Sequence, residues 1–318
     1  MTAGELLLAS VLDALVGDPR HVPHPVRWMG QCIAWCDEAV QTRHWDSRSL
    51  LLAGVGLAGG LPVGVYCLAE TLLSAADHLN HLFGSVATVW LASTTLAGRD
   101  LWDHVRAVER PLYIGDLSTA RQAVAMIVGR DTAHLSESEV ARATVETVAE
   151  STADGVIAPL FYLALGGVPL ALAYKAISTL DSMVGHRDER HIDFGWASAR
   201  LDDAANWVPA RITAGLLILS AALIPSSACQ AGRGWLVLLR DGGKHPSPNS
   251  GRPEAAMAGL LGVRLGGINL YDGVPETRPF LYPEGRTAEP HDIASALTLM
   301  ILASLIGVLL AAGGRWLL

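Results

Sequence analysis

Long uncharged apolar runs alternate along the chain with polar segments that concentrate carboxylates, arginines and histidines. A bilayer core needs about 20 apolar residues per helix. Residues 49–69 (SLLLAGVGLAGGLPVGVYCLA) meet that need and carry small residues suited to close helix packing. Residues 293–313 (IASALTLMILASLIGVLLAAG) form the clearest span, and residues 83–98 are shorter but uncharged. Two further runs are interrupted: 155–177 by Gly166, Gly167 and Pro169, and 208–239 at Pro225. Gly-Gly-x-Pro is a turn signal, so 155–177 can fold back as two half-helices, and a hairpin is the corresponding expectation for 208–239; each would return to the side it left. Backbone of that kind at membrane depth is tolerated only against protein or a water-filled cavity. The polar loops 17–30, 129–154, 178–211 and 244–273 could then meet on one face.

The expected fold class is all-α: a polytopic integral membrane protein with helical polar loops and re-entrant or broken helices. It is read as a single membrane domain over 1–318. A soluble protein with buried core helices is the alternative, disfavoured by uncharged runs of this length. The loops at 99–153 and 225–292 hold most of the Arg and Lys, which favours the cytoplasmic side for them.

Composition narrows the classes further. Of 318 residues, 51% are hydrophobic and only 17% charged, with a mean hydropathy of +0.33. That is less charged than an ordinary soluble domain. A net charge of −8 argues against a nucleic-acid partner, which requires clustered Lys and Arg. Cys32, Cys36, Cys67 and Cys229 offer neither a zinc set nor a disulfide framework, and are read as small buried hydrophobes. Residues 1–16 lack a basic leader, carry Glu5 and Asp13, and run into Gly-Asp-Pro, so they are read as mature protein.

Four polar constellations carry candidate chemistry. In Gly17–Arg27 the prolines force a stiff extended path that presents Asp18, His24 and Arg27; a solvated interfacial turn is the alternative. Ser136-Glu-Ser-Glu139 reads as a capping box opening a helix, on which Glu139, Glu146, Glu150 and Asp154 fall within about an 80° stripe. Like charges one turn apart destabilise a helix, and only Arg142 interleaves. A divalent cation or a cationic substrate group would neutralise the stripe; a plain acidic face is the alternative. Asp181 precedes a run in which Asp202, Asp203 and Asn206 form Asp-Asp-x-x-Asn, a spacing able to hold magnesium on phosphate oxygens; pairing of Arg200 with Asp203 is the structural alternative. In Lys244–Glu254, Pro253 suits the first turn of a helix whose start can bind an anion, with His245, Ser247 and Asn249 nearby. Neither a Walker-type loop nor a dinucleotide fingerprint occurs.

These segments together resemble the CobD/CbiB family of cobalamin biosynthesis, the adenosylcobinamide-phosphate synthases. The resemblance lies in LDALVGDPRHVPHPVRWMG, VGRDTAHLSESEVARATVETVAESTADGVIAPLFYLALGG, STLDSMVGHRDERHIDFGWASARLDDAANWVPARITA and HPSPNSGRPEAAMAGLLGVRLGG. It runs from about residue 6 to residue 273. It implies an integral protein of a prokaryotic cytoplasmic membrane, acting late in corrin assembly. The implied reaction joins a propionate of adenosylcobyric acid to aminopropanol or its phosphate, driven by ATP. Ser151 and Ser178 stand where the family pattern favours Asn; Ser keeps a donor and an acceptor with shorter reach.

On that reading the corrinoid and aminopropanol or its phosphate are substrates, and magnesium and ATP are cofactors. Membrane lipid and other cobalamin-assembly enzymes are the expected partners. Glu146, Glu150, Asp154, Asp181, Asp202 and Asp203 are expected to serve magnesium. Arg27, Arg130, Arg200, Arg211, Ser247 and Asn249 would contact substrate or phosphate. His24 or His245 would take the amine proton, with Glu146, Glu150 and Asp203 at the reacting centre. Rival readings are an AmpE-type signalling protein without catalysis, a membrane prenyltransferase suggested by the aspartate spacing, and a transporter suggested by broken helices.

Overall fold

The computed structural model describes residues 1–19, 23–42, 45–186, 188, 190–224 and 228–317. Arg20, His21 and Val22 of the first polar loop, Arg187 of the third and Pro225 lie outside the described residues, as does the Cys229 side chain. In chain order the elements are α1 (Ala3–Val16), α2 (Pro25–Gln41), α3 (Ser47–Leu79), α4 (His81–Ser93), α5 (Gly98–Tyr113) and α6 (Leu117–Val124). Next come α7 (Glu137–Thr152), a π-helical turn (Ala153–Ile157), α8 (Ala158–Val184), α9 (Trp196–Ala205) and α10 (Trp207–Ala222). Then follow α11 (Ala228–Asp241), α12 (Gly251–Leu261), the strands β1 (Leu265–Tyr271) and β2 (Val274–Leu281), and α13 (Pro290–Leu317). Among the described residues the fold is all-α apart from one hairpin.

Among the described residues three helical runs are long and apolar enough to cross a membrane: Ser47–Leu79, Glu137–Val184 and Pro290–Leu317. At 33 residues α3 extends about 50 Å. The run Glu137–Val184 is broken inside α8, where Gly167 adopts φ 67° and ψ −160°. Only glycine occupies that region readily. The rings of Tyr162 and Tyr174 stack at 4.9 Å, although a straight helix would hold them about 18 Å apart. The two arms of α8 therefore lie side by side, and length alone overstates this run as a straight crossing. By contrast α4, with 13 residues, is about 20 Å long and stops at Ser93.

The chain forms two compact units. The first comprises Met1–Ala97, Ala158–Asn206 and Val308–Leu318. Its core joins Ile33 and Val40 of α2, Leu180 and Val184 of α8, and Phe194, with α3 side chains from Leu50 to Leu61 packed against them. The second comprises Gly98–Ile157 and Trp207–Gly307. There α12 packs on α10, α11 and α7, with Ala214, Leu238 and Ala256 at the centre.

The hairpin is the element that the apolar pattern did not announce. Asp272 and Gly273 both take positive φ, 50° and 77°, as a tight two-residue hairpin turn requires. Cys32 and Cys67 are exposed rather than buried. Cys67 sits on the largely apolar outer surface of α3, and Cys32 on an exposed strip of α2 between Trp28 and Trp35, where exposure does not demand polarity.

Candidate functional site

In the second unit the acidic stripe of α7 becomes a set of buried, specifically bonded groups. The capping box forms: the Ser136 amide donates to Glu139 at 2.8 Å and the Glu139 amide to Ser136 Oγ at 3.4 Å. That fixes the start of α7 and turns Glu146 inward, to 6% exposure. Glu146 receives Arg130 and, at 3.2 Å, Arg142, and the Gly266 amide donates to it at 2.8 Å. Arg130 and Arg142 also donate to Asn269 Oδ1 at 2.8 and 3.0 Å, and Arg142 donates to the Gly266 carbonyl. Glu146 is thus neutralised by Arg130 of the preceding loop and by Arg142 of α7 itself, which β1 holds in place.

Glu150 accepts from Ser250 Oγ at 2.8 Å, which ties α7 to the loop 244–250. Inside that loop Ser247 Oγ accepts from the Asn249 and Ser250 amides, both at 3.2 Å. Asp241, fully buried, anchors the loop's entry through Arg240, Lys244 at 2.6 Å and the Tyr282 amide at 2.9 Å. Burial pushes the Asp241 carboxyl up, but these bonds outweigh it and hold it well below the usual range.

The Ser247 amide donates to His245 Nδ1 at 3.0 Å, which places the ring proton on Nε2. Burial and the cationic Arg278 hold the imidazole below its ordinary value, so it is neutral at pH 7. Among the described residues its buried Nε2 has no partner. As arranged, His245 offers a donor; the lone pair that a base needs is engaged.

Glu254, in the first turn of α12, is the residue that motif reading passed over. It is 5% exposed. Burial, with the carboxylates of Glu146 and Glu150, holds its carboxyl well above the ordinary value, against Arg278 and Arg130. The folded form keeps a proton that the unfolded chain loses near its ordinary pKa of 4.5. Stability from this group is complete below that pH and falls as pH rises through the folded value. Glu254→Gln, neutral at every pH, is expected to raise the unfolding temperature at about pH 8 and leave it unchanged near about pH 4. A variant less stable than wild type at the higher pH would contradict this.

Arg211, on α10, stacks over the Trp207 ring at 4.0 Å. Burial and the nearby Arg252 guanidinium hold Arg211 below its ordinary value. Among the described residues neither arginine forms an ion pair, and Arg252 Nε is buried without a partner. Two cations held together on neighbouring helices favour an anion between them.

The first unit carries its own polar set. His24 caps α2, with Pro25 in its first turn, and lies 3.0 Å from Asp18 through Nε2. Arg27 donates to the Pro19 carbonyl at 3.1 Å. The Asn206 amide donates to both Asp202 oxygens at 3.0 Å, and Tyr174 donates to Asn206 Oδ1 at 2.8 Å. Arg200 and Asp203 are 3.7 Å apart and, with Gly185, His186 and Trp196, line a cavity of about 320 Å³. Asp181 packs beneath Gly185, where an added Cβ would lie 2.1 Å from its Oδ1.

Glu146, Glu150 and Asp154 thus fall in the second unit, and Asp181, Asp202 and Asp203 in the first. Among the described residues no three His, Cys, Asp or Glu side chains gather as a metal-holding group. Missed by the sequence reading were Glu254, Arg252, Arg278 and Asn269. Arg252 and Glu254 stood inside the Lys244–Glu254 motif, whereas nothing local marked Asn269 or Arg278.

Comparison with known proteins agrees with the motif text. The family model described as CobD/Cbib protein matches residues 6–300. The cobalamin biosynthesis protein CobD of Klebsiella pneumoniae is 44% identical, over 99% of this chain and 98% of its own. CobD of Geobacter metallireducens is 47% identical, over 98% and 96%. The cobalamin biosynthesis protein CbiB of Salmonella typhimurium is 43% identical, over 99% and 98%. No solved structure matches. With the family model covering nearly the whole chain and such relatives matching end to end, the protein belongs to the CobD/CbiB family.

Proposed function

We propose that this protein is an enzyme of cobalamin biosynthesis, an acid–amine ligase. It joins a propionate of adenosylcobyric acid to aminopropanol or aminopropanol phosphate, giving adenosylcobinamide or its phosphate. The relatives' printed role supports the pathway. The observation that carries the chemistry is the Arg211–Arg252 pair beside the loop of His245 and Ser247. Among the described residues neither guanidinium has an ion-pair partner, which suits the pair to phosphate oxygens.

An ionised propionate resists attack by an amine, so it must first be activated. In the proposed scheme a propionate oxygen takes the γ-phosphoryl group of ATP, releasing ADP. The neutral amine then attacks the acyl carbon, the C–N bond forms, and inorganic phosphate and a proton leave. Phosphoryl transfer depends mainly on positioning and on cationic stabilisation of charge. Arg211 and Arg252 supply that stabilisation, with Ser247, Asn249 and the His245 Nε2 proton as further donors. Within the first unit, Asp18 at 3.0 Å orients His24 as a candidate base. Among the described residues no three His, Cys, Asp or Glu side chains gather as a magnesium cage, Glu146 being engaged by two arginines and Asp202 by Asn206. Magnesium is proposed only as the companion of the nucleotide, which one or two carboxylates can support. The setting proposed is the cytoplasmic membrane of a prokaryote, with polar loops inside and other cobalamin-assembly enzymes within reach.

The test uses purified protein and adenosylcobyric acid carrying oxygen-18 in its propionate. Amide product is expected only with ATP, and one labelled oxygen is expected in the released phosphate. Comparing aminopropanol with its phosphate identifies the donor. Product without nucleotide, or phosphate without label, overturns the acyl-phosphate scheme.

A further inference from the structure

Helix α2 divides into three faces. Met29, Ile33 and Val40 are buried, and the last two enter the core against α8 and the α3 side chains from Leu50 to Leu61. Arg27, Gln31 and Glu38 lie on a polar face. Between these faces runs an exposed stripe of Trp28, Cys32 and Trp35, at i, i+4 and i+7. The two indoles are 56% and 71% exposed. A third, Trp45, is 38% exposed just before α3 begins. Large indoles displayed side by side on a soluble surface are unusual and mark an interaction surface.

The neighbouring helix says what covers them. Only 17% of the apolar window of α3 is buried, so the span presents most of its surface outward, to lipid. Through α8, α2 shares one core with the α3 side chains from Leu50 to Leu61, the N-terminal half of that apolar run. Five residues, 42 to 46, join the two helices, a reach of at most about 18 Å. The Trp stripe therefore stands at the depth where α3 enters the membrane, and indole rings favour that boundary.

We infer that α2 is an interfacial anchor whose Trp28–Cys32–Trp35 face beds into the lipid headgroup and upper acyl region. Such a helix buries its apolar face about 5–10 Å into the boundary. The polar face of α2 remains toward water. This surface is independent of the reaction proposed above.

Cys32 provides the probe. A nitroxide is placed on protein retaining Cys32 alone, with Ser at Cys36, Cys67 and Cys229, in phosphatidylethanolamine–phosphatidylglycerol liposomes. Collision with dioxygen and with a water-soluble nickel chelate reports depth. Gly60→Cys, in open space at mid-span, and Gly129→Cys, on an exposed loop, give the lipid and water references in a Cys-free background. The Cys32 label is expected at a depth between them, with nickel accessibility at least twofold below that at Gly129. Replacing Trp28 and Trp35 by Ala should move the label toward water. A Cys32 label as wet as Gly129, or one broadened by the label of a second copy, overturns the anchor. A Gly60 label in water overturns both the span and the anchor.

Discussion

Glu146→Ala is expected to destabilise the second unit by about 3–5 kcal/mol, the typical loss when one partner of a buried ion pair is removed. The Glu146 side chain is 8% exposed, and those of Arg130 and Arg142 only 7% and 12%. Truncation would leave two guanidinium groups out of water with no counter-charge. It would also orphan the Gly266 amide, which donates to Glu146 at 2.8 Å. Glu146→Gln keeps the shape and one acceptor while removing the charge, so an intermediate loss is expected. Denaturant titration in detergent, followed by protease resistance of the β1–β2 hairpin, measures both. If Glu146→Ala loses less than about 1 kcal/mol, the latch is a surface pair in effect. A large stability loss with normal chemistry in the surviving fraction would assign Glu146 to structure instead of to metal.

The second large effect is expected where the chain passes between two helices of the first unit. Phe194, 1% exposed, is a core residue of that unit. Its carbonyl lies where a Cβ on Gly54 of α3 would stand, 1.9 Å away. The next residue, Gly195, would put a Cβ 1.6 Å from the Val184 carbonyl at the end of α8. Both clashes are with backbone, so no rotamer change relieves them. Overpacking usually costs about 1–3 kcal/mol, and Gly54→Ala and Gly195→Ala are expected at or above the top of that range. Gly56→Ala, with nothing near its Cβ, is the matched control and should be neutral or slightly stabilising. Thermal midpoints of the three variants in one detergent decide the matter. Equal midpoints for all three would mean that this passage is looser than the backbone contacts imply.

Much of the architecture could be read from the chain because its signals are local. The capping box at Ser136–Glu139, the break at Gly167 and the long apolar helices all rest on residues within a few turns of one another. The hairpin carried such a signal too, in Asp272-Gly273. Its strands, however, expose Ile268, Leu270 and Val274, so the one-sided burial that marks a strand is missing.

The chemistry was less legible. The acidic stripe of α7 looked like a place for an absent cation, because helical periodicity shows charges on one face and nothing across from it. The cations that answer it are Arg130, 16 residues away, and Arg142, held in place by β1, 124 residues on. Spacing of four located Asp202 and Asn206 correctly, but the result is an amide bonded to a carboxylate. The burial of Glu254 and the meeting of Arg211 with Arg252 belong to tertiary packing, which no window on the sequence contains.

The contrast between the Tyr162–Tyr174 stack and the Glu146 latch also bears on the order in which the molecule assembles. The stack closes a loop of 12 residues, while the bond from Gly266 to Glu146 closes one of 120. Chain entropy makes the longer closure costlier by about 2 kcal/mol. The α8 hairpin can therefore form while synthesis is still under way, long before β1 has left the ribosome. The latch must wait for most of the chain. A nascent chain stalled before residue 265 would hold its tyrosine stack and leave Glu146 open to solvent.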